Sequence, residues 1–124
     1  MSTEPRFVFD TNVLVSALLF EHSVPGKAFF AAMQAGTILL SREVIDELTD
    51  VLSRPKFDRY LEADVREQFL VALVRKARLI TIDRQIVICR DVRDNKFLEL
   101  AACGGASSLV SGDDDLLALV LRQA

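Results

Sequence analysis

The stretch Phe7-Val8-Phe9-Asp10-Thr11-Asn12 decides how the rest of the chain reads. Phe7, Val8 and Phe9 run together without a polar alternate, the pattern of a strand covered on both faces, as in a parallel sheet. The run stops at a carboxylate, and Val13, Leu14, Ala17 and Leu18 then recur at helical spacing. Asp10 thus falls between a buried strand and a helix, at the strand's C-terminal end, where open α/β sheets place their chemistry. Two roles suit it: a helix N-cap, a common use of Asp, or an acid facing a ligand. The choice turns on whether the arrangement returns.

It does. Ser108-Leu109-Val110-Ser111 reads as a buried strand ending at Gly112-Asp113, and Asp114 opens a last helix that reaches almost to Ala124. Between these two junctions the pattern alternates. Met1 to Pro5 is expected to be a frayed leader, strand one to cover Arg6 to Asp10, and the first helix to reach Phe20. Glu21 to Gly26, with Pro25 and Gly26, reads as a loop. A helix is expected from Lys27 to Ala35, stopped by Gly36 in the C′ position, then a strand from Thr37 to Leu40. Ser41 caps a helix running to about Ser53. Arg54-Pro55-Lys56-Phe57 breaks it and begins a small basic, aromatic-bearing segment that ends at Tyr60. Glu62 to Ala77 forms a long helix with Val65, Phe69, Leu73 and Ala77 on one stripe, followed by a strand over Arg78 to Ile82. Ile86 to Cys89 fits a strand or a buried loop equally well. Asp91 to Phe97 opens another helix, with Phe97, Leu98, Ala101 and Ala102 inward and Gly104-Gly105 at its end. Strands alternating with helices make a single α/β domain over residues 1–124, a mostly parallel sheet with right-handed crossovers.

Of the 124 residues, 51% are hydrophobic, enough for a genuine core in one domain. The net charge of −3 does not advertise nucleic acid, although acids gathered in one pocket are compatible with a basic rim. Cys89 and Cys103 match no zinc spacing and read as reduced core thiols of a cytoplasmic protein. The polar start lacks a signal peptide, and no apolar run approaches the roughly 20 residues that span a bilayer.

The helix after Ser41 can be read by angle. At about 100° per residue, Val44, Ile45, Leu48, Val51 and Leu52 share one arc, which faces the core. Glu47 is the acid nearest that arc, Glu43 is next, and Asp46 and Asp50 point further toward water. Glu47 is therefore either a carboxylate looking into the interior or a boundary residue solvated at its tip.

Asp10 and Asp113 end strands, Asp94 opens a helix, and Glu47 edges a core-facing arc. In a parallel sheet these places lie along one rim, so the four acids can converge. Uncompensated, they repel one another and cost several kcal/mol each to bury. Such a cluster makes sense with cations between the oxygens, and an all-oxygen donor set favours Mg²⁺ or Mn²⁺ over zinc. The matching chemistry is metal-assisted phosphodiester hydrolysis. Asp115 reads as a further ligand or as a first-turn acid, and Asp114 as a solvated acid favouring the helix dipole.

Competing chemistries lack parts. His22 is the only histidine and sits in a loop beside Glu21, so neither a Ser-His-Asp triad nor a histidine zinc site can be assembled. No Walker-type glycine loop and no GxGxxG occurs. A phosphoryl-accepting receiver-like domain needs a lysine after its last strand, and none follows Lys96.

Taken together, the residues resemble the PIN-domain nucleases, in particular small bacterial toxin components of toxin–antitoxin pairs. The resemblance runs from Phe7 to about Leu117. Its carriers are Phe9-Asp10-Thr11-Asn12-Val13-Leu14, Ser41 to Leu48, Ser53 to Phe57, Asp91 to Ala101, and Leu109 to Leu117. It implies a three-layer α/β/α fold with strand order 3-2-1-4-5, an acidic Mg²⁺ or Mn²⁺ site, and endonuclease cleavage of single-stranded RNA. The family's acidic quartet falls on Asp10, Glu47, Asp94 and Asp113, with Asp115 as a fifth acid, while Asn12 and Ser111 match small polar positions that line or brace the pocket. A small antitoxin protein and a second copy of the chain are the partners it implies.

The chain departs from the family at its end. Relatives continue past the last helix into a fifth strand, whereas here the sequence stops at Leu121-Arg122-Gln123-Ala124. The expected order is therefore 3-2-1-4, with strand four open on one side. The leading expectation is a metal-dependent ribonuclease in which Thr11, Asn12 and Ser111 orient ligands or phosphate. Arg42, Arg54 and Lys56 are weaker candidates for backbone contacts. The alternative is a catalytically silent PIN-fold module that binds RNA or protein.

Overall fold

The structure, a computed structural model, describes residues 4–83 and 95–110. Four strands pair in the order β3-β2-β1-β4: β1 is Arg6–Phe9, β2 Thr37–Leu40, β3 Arg78–Leu79 and β4 Ser108–Val110. All three pairings are parallel, with Phe7 opposite Ile38 and Ser108, Phe9 opposite Val110, and Leu40 opposite Leu79. Val8 and Phe9, which point to opposite faces of β1, are 0% and 2% exposed, so the central strand is covered on both sides.

The covering helices are α1 (Thr11–Leu19), α2 (Val24–Ala35), α3 (Arg42–Leu52), α4 (Ala63–Lys76) and α5 (Asn95–Gly104). Phe29 of α2 anchors one side, its ring 5.4 Å from Phe9 and 6.1 Å from Phe69 of α4. On α3, Val44, Leu48 and Leu52 are buried, as the angular reading expects, and Ser41 caps the helix by accepting the Val44 N–H at 3.2 Å. Gly105, with φ of 64°, stops α5 in the left-handed region that favours glycine.

Several boundaries differ from the sequence reading, each for a local reason. Pro25 and Gly26 lie in the first turn of α2 rather than in a loop. Ser23 accepts the Gly26 N–H, and a proline loses no hydrogen bond so near a helix start. Gly36 is extended rather than left-handed. A side chain there would meet the Pro5 carbonyl oxygen at 2.1 Å, where Thr37 N–H also bonds. Glu4 and Pro5 are accordingly tied to β2, Glu4 through the Thr37 hydroxyl, instead of fraying. The third strand spans only Arg78–Leu79, because β2 turns into α3 at Ser41 and leaves residues beyond Ile80 without a ladder partner.

On α4 the inward stripe holds at Phe69, Leu73 and Ala77 but fails at its first member. Val65 is exposed and Arg66 is buried, its guanidinium donating to the Leu52 and Leu61 carbonyls and pairing with Asp58 at 2.8 Å. Cys103 is half-buried and donates to Asp83 Oδ1 at 3.1 Å, so it is not the core thiol expected. Cys89, the run from Ile86 to Cys89, the opening of the helix at Asp91 to Asp94, and everything from Ser111 onward lie outside the described residues. Among the described residues no single helix is long and apolar enough to cross a membrane.

Candidate metal centre

The site begins where β1 ends. The Asp10 amide donates to the Val110 carbonyl at 3.1 Å, the last rung of the β1–β4 ladder. Its side chain is 6% exposed, and Oδ1 accepts the Val13 N–H at 2.8 Å, capping α1. The N-cap role is therefore present, and it engages one of the two carboxylate oxygens. Thr11, next in line, is buried, and its Oγ1 has no hydrogen-bond partner among the described residues. Asn12 is exposed in the same first turn.

Glu47 comes to the same side of the fold from the second turn of α3. It is half-buried, whereas Glu43, Asp46 and Asp50 on that helix are exposed. The carboxylate is turned so that Oε2 is shut off from solvent although the side chain as a whole is 32% exposed. Lys96 Nζ lies 2.9 Å from that oxygen, an ion pair between two largely enclosed charges. The lysine is 8% exposed, and its ammonium also stands 5.0 Å from the centroid of the Phe97 ring, within cation–π range.

Sequence reasoning missed Lys96 as a site residue, although a signal was present. Lys96 lies on α5 and directly precedes the core residues Phe97 and Leu98. A lysine turned inward beside core residues calls for an anion to hold it.

The remaining sequence candidates divide by place. Arg42, in the first turn of α3, lines an open cleft with Glu43, Asp46 and residues 79–82. Arg54 pairs with Asp50 at 3.1 Å just past the far end of α3, and Lys56 lies over the Phe57 ring in the following turn. Arg54 is about 10 Å further along the helix axis than Glu47, at 1.5 Å per residue. Tyr60 of the same segment packs edge-on to Phe20, at the end of α1 opposite Asp10. The basic-aromatic segment and Asp10 are thus separated by the length of a helix. His22 is exposed beside Glu21. Asp94, Ser111, Asp113 and Asp115 lie outside the described residues, and the described residues alone contain no group of three acids, histidines or cysteines that could hold an ion.

The donors that are described suit a hard divalent cation. Asp10 and Glu47 offer carboxylate oxygens in low-exposure surroundings, and Thr11 Oγ1 is a buried oxygen without a hydrogen-bond partner among the described residues. Oxygen sets of this kind match Mg²⁺ or Mn²⁺ and lack the sulfur and nitrogen that zinc prefers.

A family model described as PIN domain matches residues 6–115. The chain belongs to the PIN domain family. An uncharacterized protein of Methanocaldococcus jannaschii is 30% identical over 116 residues, covering 92% of this chain and 74% of that protein. Among solved structures, the fold is similar to a chain in the crystal structure of VapBC2 from Rickettsia felis bound to a DNA fragment from their promoter. The TM-score is 0.58 at 14% identity, and the match covers 87% of this chain and 99% of that one. At that identity the likeness is one of fold, and it agrees with the parallel 3-2-1-4 order described above.

Proposed function

We propose that this PIN-domain protein is a Mg²⁺- or Mn²⁺-dependent endoribonuclease that hydrolyses phosphodiester bonds of single-stranded RNA. Asp10, Glu47, Asp94 and Asp113 are the acids of its pocket, and Asp115 is a fifth. The observation that supports this reading most directly is the pair of inward acids: Asp10 is 6% exposed at the end of β1, and Glu47 is half-buried on a helix whose other acids are solvated. Lys96 supplies one compensating charge to Glu47, and a pocket that gathers further acids calls for more positive charge than one ammonium gives. Asp94 immediately precedes the described start of α5, and Asp113 follows Val110 by three residues in the sequence. The two further acids are thus close in sequence to Lys96 and to Val110, whose carbonyl accepts the Asp10 N–H.

A hard divalent ion supplies water activation and stabilisation of charge on the phosphate and leaving oxygens. The chain's own residues do the rest. Asp10 and Glu47 fix the donor oxygens, Asp10 rigidly because its Oδ1 is tied into the α1 cap. Thr11, Asn12 and Ser111 orient ligands or the phosphate. Arg42 stands in the first turn of the helix that carries Glu47 and is suited to the RNA backbone nearest the pocket. Arg54 and Lys56, a helix length away from Asp10, suit nucleotides further along the strand, a sequence-independent contact.

The family resemblance to bacterial toxin components, together with the likeness of fold to a VapBC2 chain, supports a toxin role, for which we propose the cytoplasm as the site of action. A small antitoxin protein would be its partner, and the active form would be a homodimer. The deciding experiment is cleavage of single-stranded RNA with and without Mn²⁺, repeated with D10N. Cleavage that requires Mn²⁺ and disappears in D10N is expected. Cleavage that persists in D10N or under chelation overturns the assignment, and RNA binding without cleavage under any metal favours the silent module.

A further inference from the structure

We infer that Lys96 is the built-in counter-cation of the acidic pocket, holding Glu47 in the ion-free protein and competing with the divalent ion for it. The inference rests on the proposed pocket and concerns a residue outside the acidic set. Three observations carry it. The ammonium is 2.9 Å from an oxygen of Glu47 that solvent does not reach. The lysine is itself 8% exposed, so it is a fixed part of the interior rather than a mobile surface charge. Finally, the pair joins α3 to α5, two elements that pack against one another.

A charge in this position has two effects of opposite sign. Without a divalent ion, Lys96 compensates Glu47 and lowers the repulsion between acids that share the pocket. A divalent ion held by Glu47 would meet the same ammonium as a like charge on its own ligand, and the hold of Lys96 on Glu47 would have to be surrendered or shared. Lys96 therefore stabilises the empty pocket and weakens the filled one. The result is a protein that keeps its acids assembled before metal arrives and binds metal less tightly than the acids alone would allow.

The test is calorimetric titration of Mn²⁺ into the whole chain, alongside melting curves with and without Mn²⁺, for wild type, K96M, K96R and D10N. K96M is expected to bind Mn²⁺ about threefold to tenfold more tightly, as removal of a nearby like charge requires. Its ion-free melting temperature should fall and its gain on adding Mn²⁺ should grow. K96R, which keeps the charge, should follow wild type in affinity. If K96M proves too unstable to titrate, K96Q replaces it with the same expectations. Unchanged or weaker Mn²⁺ binding in the neutral variant, with D10N impaired, overturns the role of Lys96 and leaves the pocket standing. If D10N binds Mn²⁺ as wild type does, the pocket fails and the role of Lys96 falls with it.

Discussion

Asp10 caps the helix that it precedes: its Oδ1 accepts the Val13 N–H at 2.8 Å while the residue stays 6% exposed. This contact separates the structural role of Asp10 from the chemical one. Asn caps helices about as well as Asp, whereas Ala costs about 1 kcal/mol. D10N should therefore melt within a degree or two of wild type in the absence of metal and lose nearly all Mn²⁺-dependent cleavage. D10A should lose both. Equal destabilisation by the two variants would show that the negative charge, rather than the cap, supports the fold.

Thr11 offers the converse separation. A buried hydroxyl without a partner carries a desolvation cost of about 1–3 kcal/mol, and Val keeps the same branched shape without it. T11V is expected to leave stability unchanged or raise it by about 1 kcal/mol in urea unfolding. RNA cleavage at saturating Mn²⁺ should nonetheless fall, since the hydroxyl is proposed to orient a ligand. A stable variant with full activity would remove Thr11 from the site.

The parts of this molecule that were legible in its sequence share one property: they are periodic or they punctuate. The unbroken apolar run before Asp10 announced a strand covered on both faces, and Val44, Leu48 and Leu52 announced which side of α3 turns inward. Glu47 emerged from that same arc as the acid nearest the core. The 3-2-1-4 strand order came from the family resemblance, since periodicity says nothing about which strands are neighbours. What escaped was each contact between residues far apart in the chain that breaks the local pattern. Lys96 is paired across 49 positions with Glu47, and Arg66 is buried because three acceptors from other segments converge on it. The tie between Pro5 and Thr37 escaped for the same reason, as its only sequence trace is a glycine at position 36. Polar residues turned inward look like pattern errors until their partners are known.

Arg66 is such a case, and its contribution is to stability. It is 1% exposed and satisfies the Leu52 carbonyl at 2.7 Å, the Leu61 carbonyl and Asp58 Oδ1, joining the end of α3 to the segment before α4. R66A strands two backbone carbonyls and opens a cavity, which should cost about 2–4 kcal/mol. R66K keeps the charge but lacks the planar fork, so it should fall between the two. Urea unfolding at fixed temperature reads both. RNA cleavage by the folded fraction should be unaffected, because the guanidinium lies with the segment at the opposite end of α1 from Asp10. A stability loss confined to R66A's response to Mn²⁺ would instead connect this arginine to the pocket.

Glu99, on α5, sets a pH dependence whose sign follows from its surroundings. Burial first, and the charge of Glu43 second, raise its carboxyl above the ordinary value of 4.5. Between 4.5 and the raised value the folded protein holds a proton that the unfolded chain has released. Stability from this group is therefore fully present below 4.5 and is lost as pH rises through the folded value. E99Q removes the group, so its stability curve should lack that decline just above pH 4.5 and lie above wild type at neutral pH. E43Q should reduce the decline without abolishing it, because the larger cause, burial, remains. Chemical denaturation of the three proteins across this range, without divalent ions, measures the difference directly. A wild-type curve that rises relative to E99Q as pH climbs through the window would mean that Glu99 is stabilised in its charged form, contrary to its position beside Glu43.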